Sequence, residues 1–381
     1  MLIAPQPATH VDAGAIRELP GIVRGTGANT AMIVTDAGLA ATPVIGKVRA
    51  VLEAAGLDVG VFTGVHPNPT TDDLAAGAEA VRADRENVAL VAVGGGSPID
   101  AAKGIALAAV NPGARGRGLD YRNEFGVPAL PIVAVPTTAG TGAETNAFGV
   151  VTDPATHRKF YVGHATSMPV AAILDPELTV GLPPSVTAAT GLDALTHALE
   201  CYLSLHPNPW SDGIALHVIR MVAASLPRAC DDGADLEARS RMLLAAHMAG
   251  VAMANTGLGI CHAIGHSLGG RWDIAHGVTL AVVMPGVLRF NLPVRTGRMA
   301  DIAFALGAGD TSADPARNAA AAVEAITALR DKVGLTRRLA DFGITAADHP
   351  RIAADALDDE VLANTPRQPT AADITAILAT A

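Results

Sequence analysis

Aromatic residues are scarce: the 381 positions hold two Trp, three Tyr and seven Phe. With half the residues hydrophobic and Ala and Gly abundant, the core must be close-packed aliphatic helix and sheet. Cysteine is nearly absent as well. Cys201, Cys230 and Cys261 are far apart and odd in number, which excludes a disulfide framework and suits reduced thiols in a cytoplasm. There is no block of Lys or Arg, and the formal net charge is −10, so nucleic acid and anionic membrane surfaces are poor partners. No uninterrupted apolar run is long enough to span a bilayer, and the N-terminal MLIAPQPATHVDAGA lacks the basic and apolar regions of a signal peptide. A cytoplasmic chain of two domains acting on a small molecule is the expectation.

The densest chemistry lies between Gly191 and His276. GLDALTHALE carries Asp193 and His197 four residues apart, so on a helix both leave one face. GICHAIGHSLGGRWDIAHG repeats that spacing with His262 and His266 and adds His276 ten residues on. One such His in an apolar helix is ordinarily a satisfied core or surface residue. Two i,i+4 pairs in Ala/Gly/Leu-rich surroundings are different, because burying several imidazoles and a carboxylate with no cation between them costs several kcal/mol. One carboxylate with several imidazoles suits a divalent metal of borderline softness. Cys261, beside His262, is a further candidate ligand, although a small buried hydrophobe is its ordinary role.

The first half alternates short apolar runs with helical stretches. Strands are expected at 31–34, 59–63, 88–93 and 131–135, the third apolar throughout, as a strand buried on both faces should be. A helix over 43–55 follows the first strand. Another follows the HPNP turn at 66–69, capped by Thr70 or Thr71 with Asp72 and Asp73 in its first turn. Such alternation implies an α/β domain with parallel strands and helices on both faces.

The third strand runs into GGGSPIDAAKG (94–104). Its glycines let backbone approach a ligand, and Ser97 with Pro98 fits an N-cap and N1 pair, leaving N–H groups for a pyrophosphate. The fingerprint is incomplete, since Ile99 holds the third glycine position, and a merely tight strand–helix turn reads equally well. PTTAGTGAE (136–144) follows the fourth strand with more hydroxyls and glycines, so two donor-rich turns can line one crevice at strand carboxyl ends. Asp36, closing the first strand, can accept from both ribose hydroxyls and repel a 2′-phosphate, which favours NAD over NADP. Its other reading is a turn-forming Asp before Ala37-Gly38.

Beyond residue 182 the character changes. Pro183-Pro184 breaks the chain, Ser185 or Thr187 can cap the next helix, and helical patterns follow at 188–204, 210–225, 236–254, 262–268 and 277–290. Residues 1–182 are therefore expected to form a dinucleotide-binding α/β domain, and 183–381 a helical metal- and substrate-binding domain.

Taken in order along essentially the whole chain, GGGSPIDAAKG, PTTAGTGAE, LDPELT–LPP, TGLDALTHALE, HAIGHSLGG–AHG and the C-terminal NTPRQPT resemble the iron-containing (group III) alcohol dehydrogenases. The resemblance implies a Rossmann-like N-terminal domain and an all-helical C-terminal domain. It also implies Fe²⁺ or, in some members, Zn²⁺, and reversible NAD(P)-dependent oxidation of an alcohol to an aldehyde or ketone. By resemblance Asp193, His197, His262 and His276 are the metal ligands, and His266 faces nicotinamide and substrate instead. Gly95, Gly96 and Ser97 match the pyrophosphate loop, and Thr137, Thr138 and Thr141 the second nucleotide loop. Lys159 matches a cofactor contact, Leu178 an apolar neighbour of the adenosine, and Asp36 the acid of NAD-preferring members. A homodimer or higher homo-oligomer is implied. Ala275 and Ser267 stand where many members have Pro, and Phe148, near the expected nicotinamide pocket, would narrow the substrate space.

A divalent ion in such a site acts as a Lewis acid on the alcohol oxygen, with positioning and charge stabilisation supplying most of the rate. His266 is the expected proton relay. Glycerol dehydrogenases, dehydroquinate synthases and maleylacetate reductases share the two-domain plan. A full ligand set argues against the metal-free reductases. Sparse basic residues over 193–276, Arg271 being nearest to the ligands, argue against a phosphate-bearing substrate. Two rival chemistries fit the same residues: hydride transfer between two substrates on a nicotinamide that is never released, and nucleotide and metal binding without catalysis.

Overall fold

In a computed structural model, which describes residues 3–83, 87–156 and 158–381, the chain gathers into two compact units. One is Pro5–Gly181. The other is Leu182–Ala381 together with the start of the chain, where the Ala4 N–H donates to Asn255 Oδ1 at 2.8 Å.

The first unit is built on a six-stranded parallel sheet in the order β1-β8-β5-β4-β2-β3. Four of its strands are the apolar runs of the sequence: β2 (Thr30–Asp36), β3 (Asp58–Val65), β4 (Val88–Gly94) and β5 (Ile132–Pro136). Edge strand β1 (Ala8–Val11) and its neighbour β8 (Ala171–Leu174) have four residues each, too few for a periodic signal, and pair residue for residue from Ala8–Ala171 to Val11–Leu174. Strands β6 (Phe148–Asp153) and β7 (Arg158–Gly163) form a separate antiparallel hairpin. Helices α1 (Leu19–Gly25), α2 (Ala37–Ala40), α3 (Pro43–Ala54), α4 (Thr71–Arg82) and α5 (Gly96–Val110) complete the unit. Alternate strand residues feed two cores. Ile33, Val91 and Val133 pack with Val48 and Leu52 of α3, while Val34, Leu90 and Ala134 pack with Leu74 of α4 and Ile105 of α5. The apolar continuity of β4 is thus explained by burial on both faces.

Thr70, not Thr71, caps α4, in a reciprocal capping box with Asp73. The start of α5 corrects the sequence reading. The N-cap is Gly95 and the helix begins at Gly96, so Ser97 and Pro98 are its second and third residues. Gly94, at φ 151°, turns the chain directly out of β4. Pro98 is tolerated because a first-turn N–H has no intrahelical partner to lose.

The second unit is helical: α6 (Pro184–Leu203), α7 (Pro209–Asp231), α8 (Leu236–Thr256), α9 (Ile260–Trp272), α10 (His276–Ala305), α11 (Pro315–Lys332), α12 (His349–Leu357) and α13 (Ala371–Leu378). Helix α6 starts earlier than expected. Pro183 is its N-cap and Pro184 its first residue, so neither Ser185 nor Thr187 caps it; the fixed φ of proline is already helical. Helix α10 is broken at Arg295 (φ −132°, ψ 26°), two residues after Pro293. By length and composition only, α7 and α10 are long and apolar enough to cross a membrane, although charged residues interrupt the apolar run of each. Here both are packed within the unit, with Val218, Ile219, Val222 and Leu226 of α7 and Leu280, Val283, Met284 and Val287 of α10 buried.

Lys103 of α5 is fully buried. Its Nζ donates to Ala143 O (2.7 Å), Asn146 Oδ1 (2.8 Å) and Phe148 O (2.5 Å), tying α5 to the segment after β5 and to the first residue of β6. Burial pushes its pKa down to about 8 from the ordinary 10.5, against the pull of Asp100 and Glu144. Between those values the unfolded chain retains a proton that the folded chain has released, so this group's contribution to stability rises with pH there and is flat below it. Lys103→Met is expected to cost about 1–3 kcal/mol at neutral pH, since buried oxygens lose their donor. In urea titrations across the pH range, its deficit against the parent should widen from pH 8 to 10.5; a narrowing deficit would refute the depressed lysine.

Candidate metal centre and nucleotide loops

Three helices deliver the candidate ligands. Asp193 and His197 lie one turn apart on α6, His262 and His266 one turn apart on α9, and His276 is the first residue of α10. Glycines set how closely these helices meet. A Cβ on Gly277 would stand 2.1 Å from Ala189 O, so the first turn of α10 lies directly on the α6 backbone. A Cβ on Gly265 would meet Leu280 Cδ2 at 2.6 Å, so the space beside α9 is filled by the Leu280 side chain of α10. Between those helices Asp273, at φ 50°, ends α9 in a left-handed residue, and the chain reverses to bring His276 back to the cluster.

Asp193 Oδ1 is the focus. It lies 3.3 Å from His197 Nε2 and 3.7 Å from both His262 Nε2 and His276 Nε2. The donor atoms of Asp193, His262 and His276 all fall within 4.8 Å of one another. Asp193 Oδ1 and His262 Nε2 are buried and make no hydrogen bond, a state that costs about 1–3 kcal/mol for each atom. At 3.7 Å the His262 and His276 pairs are too long for hydrogen bonds, and the 3.3–3.7 Å spacing suits a shared ion, since ligands at about 2.1 Å in a tetrahedron stand about 3.4 Å apart. One carboxylate and these imidazoles therefore fit a divalent cation of borderline softness. The side chains of Asp193, His197 and His262 are 3%, 5% and 1% exposed and that of His276 37%, so the cluster is open on the His276 side.

Electrostatics agree with the geometry. Burial works against the ionised form of Asp193, but the neighbouring imidazoles, His197 foremost, outweigh it and hold the carboxyl well below the usual range. Burial likewise disfavours a charged His262, yet Glu200 and Asp193 prevail and raise it to about 9.

Of the remaining candidates, His197 approaches Asp193 Oδ1 but falls outside that group of three, and so does His266. Its Nδ1 pairs with Asp359 Oδ2 at 2.7 Å, and its ring stacks on that of His276 with centroids 5.6 Å apart. Cys261 is a buried hydrophobe rather than a ligand. Its thiol lies 3.7 Å from Leu280 O, and burial pushes its pKa well above the ordinary value. Two carboxylates escaped sequence reasoning: Glu200, which accepts from His262 Nδ1 at 2.6 Å, and Asp359. Glu200 had a legible signal, being seven residues from Asp193 and so on the same helix face. Asp359 had none, because it arrives from a short turn far along the chain.

In the first unit the two glycine-rich segments meet. A Cβ on Gly95 would lie 3.2 Å from Thr138 Oγ1, and one on Gly96 would lie 2.9 Å from Thr141 Cγ2. The Thr137 N–H donates to Gly94 O at 2.9 Å, continuing the β4–β5 ladder, and its side chain is buried. Gly95, Gly96, Ser97, Thr138 and Thr141 are half-buried around the α5 N-terminus, which no side chain caps. That is a cradle able to donate to a pyrophosphate. Asp36 accepts from Leu39 N at 2.9 Å as N-cap of α2, so the turn-forming reading is realised, and its second carboxylate oxygen stays compatible with the ribose reading. Lys159 donates to Asn68 Oδ1 at 2.9 Å, and Leu178 is buried against the Ile33 and Val91 core. Phe148 packs edge-on against Tyr121 and Tyr161.

The sequence matches two family descriptions: "Iron-containing alcohol dehydrogenase" over residues 7–176 and "Fe-containing alcohol dehydrogenase family, C-terminal" over residues 187–381. It is 38% identical over 375 residues to the NAD-dependent methanol dehydrogenase of Bacillus methanolicus, covering 98% of this chain and 97% of that protein. It is 39% identical over 358 residues to the 1,3-propanediol dehydrogenase of Klebsiella pneumoniae, covering 92% and 91%. A crystal structure of a 1,3-propanediol oxidoreductase superposes with a TM-score of 0.93 at 36% identity, over 100% of this chain and 99% of that one.

The contact of Gly277 with Ala189 is a test of the helical cluster. Gly277→Ala must push the α10 start off α6, at about 1–3 kcal/mol, and carry His276 with it. Zinc bound per chain, measured after equilibration of metal-stripped protein, should fall; full occupancy with unchanged melting would show that the contact is slack.

Proposed function

Because the chain belongs to the iron-containing alcohol dehydrogenase family, and so is an NAD-linked, metal-dependent oxidoreductase interconverting alcohols with aldehydes or ketones, we propose the residues and substrates through which it works. Asp193, His197, His262 and His276 hold Fe²⁺ or Zn²⁺, and the substrates are short primary alcohols or diols and their aldehydes. The methanol and 1,3-propanediol dehydrogenases among its relatives support that substrate class. The single observation carrying the metal assignment is the buried, unbonded Asp193 Oδ1 with three imidazole nitrogens at 3.3–3.7 Å.

When bound, the divalent cation supplies a Lewis acid for the alcohol oxygen and the nicotinamide supplies the hydride acceptor. The chain's own part is positioning. Gly95, Gly96, Ser97, Thr138 and Thr141 hold the dinucleotide phosphates through backbone N–H and hydroxyl donors, with Thr137, Lys159 and Leu178 supporting the cofactor around them. Asp36 selects the unphosphorylated ribose. His266 Nε2 receives the hydroxyl proton, while Asp359 keeps the Nδ1 proton in place. The protein is placed in the cytoplasm, which its three free cysteines support, and is a homodimer or larger homo-oligomer, as the family resemblance suggests.

Two experiments test this reading. Asp193→Ala should lose bound metal and alcohol oxidation together, assayed by elemental analysis of anaerobically purified protein and by reduced-nicotinamide absorbance across an alcohol panel; a metal-free variant with full turnover would sink the assignment. Asp36→Ser keeps an acceptor for the α2 cap but removes the charge. Its NADP-to-NAD ratio of kcat/KM should rise by about tenfold, ~1.4 kcal/mol of discrimination, whereas an unchanged ratio would leave Asp36 as a turn residue only.

A further inference from the structure

The buried carboxylate of Glu200 is tied to one candidate ligand and to the backbone that carries it. Glu200 follows Asp193 by seven residues on α6, which places the two Cα atoms on one face about 10 Å apart along the axis, and both carboxylates reach in toward one ring. The His262 ring lies between them. Its Nε2 is 3.7 Å from Asp193 Oδ1, and its Nδ1 is 2.6 Å from Glu200 Oε2. The oxygens of Glu200 also accept from the backbone N–H groups of Cys261 (2.6 Å) and Gly259 (3.0 Å). Gly259 is the N-cap of α9 and has no side chain with which to cap it; a Cβ there would stand 3.1 Å from Glu200 Oε1. A carboxylate from α6 therefore caps α9 and grips a ring on the same helix.

We infer that Glu200 is a positioning residue for the metal, fixing the tautomer and ring orientation of His262 so that Nε2 faces the cation; this rests on the metal-site reading above. The chemistry is direct. An ionised carboxylate only accepts hydrogen bonds, so His262 Nδ1 carries the hydrogen and, in the neutral ring, Nε2 keeps its lone pair. That Nε2 is the buried nitrogen with no hydrogen-bond partner. Charge points the same way. The Glu200 side chain is 8% exposed, and among the described residues no Lys or Arg pairs with it. Asp193 and Glu200 thus bring two carboxylates to opposite edges of one imidazole, a surplus of acceptors that a divalent cation at Nε2 balances. A carboxylate that served only to cap α9 would have no need of the imidazole.

The test uses the metal-stripped full chain with Zn²⁺ and Co²⁺ as probes. Glu200→Gln keeps the size and one acceptor, but removes the charge and sets an amide N–H₂ against backbone donors. In variants shown to be folded by circular dichroism, Zn²⁺ affinity from chelator competition should fall by about 10–100-fold, and the visible absorption of the Co²⁺ form should change as His262 reorients. Should the Gln variant not fold, Glu200→Asp, which keeps the charge but withdraws it by one methylene, decides the matter by the same Co²⁺ spectrum and a smaller loss of affinity. An unchanged Zn²⁺ Kd and Co²⁺ spectrum in a folded variant would overturn the inference and leave Glu200 a helix cap. Failure of the parent protein to bind either ion would instead overturn the metal-site reading beneath it.

Discussion

A carboxylate oxygen buried among imidazoles with nothing to bond is the constraint on which the helical unit turns. Asp193 Oδ1 is held where water and backbone donors do not reach it, by α6, α9 and α10 together. Such an arrangement leaves Asp193 Oδ1 and His262 Nε2 buried without hydrogen-bond partners, at about 1–3 kcal/mol each, a cost that a shared cation removes. The fold opposes that cost with close packing. Gly277 on Ala189 brings the α10 and α6 backbones nearer than any side chain would permit, Gly265 leaves room for the Leu280 side chain, and the left-handed Asp273 turns the chain sharply enough to return His276. Each of these features serves one centre.

The first unit solves a different problem by similar means. A pyrophosphate needs donors in a concave site and no side chain in the way. Gly95 and Gly96 leave that space where Thr138 and Thr141 approach, and the uncapped start of α5 leaves its donors outward. Lys103, beneath, links α5 to the segment that follows the second loop through three oxygen acceptors. The sites differ in what makes them precise: rigid helices for the ion, and backbone donors braced from below for the nucleotide.

How much of this was legible in the amino-acid order follows from the range of each interaction. Strands β2, β4 and β5 stood out because burial on both faces writes a continuous apolar run, edge strand β3 by its short apolar stretch alone, and the α4 cap because its capping box is local. Strands β1 and β8 left no trace, since four residues carry no period and only their pairing defines them. The starts of α5 and α6 were misplaced by one or more residues because proline and serine look like cap chemistry at several neighbouring positions, and tertiary packing chooses among them. The cluster around Asp193 was readable as residue types and spacing. Its partners were not: Asp359 reaches His266 across ninety-three positions, a separation at which no pattern in the chain survives.

The two histidines of α9 show why spacing alone could not assign roles. His262 and His266 have the same helical offset as Asp193 and His197, so periodicity makes them equivalent. The structure separates them by what holds the Nδ1 of each. Glu200 grips His262 in a dry interior with 1% of its side chain exposed, and the free edge of that ring faces Asp193. Asp359 grips His266 one turn along, where 21% of the side chain is exposed. Depth alone does not divide the roles, since His276 is 37% exposed; what separates the two α9 rings is that His262 Nε2 lies 3.7 Å from Asp193 Oδ1, whereas His266 stands outside the donor group. The same carboxylate–imidazole device is used twice at different depths, and the proposed division puts the first ring on the metal and the second in proton transfer.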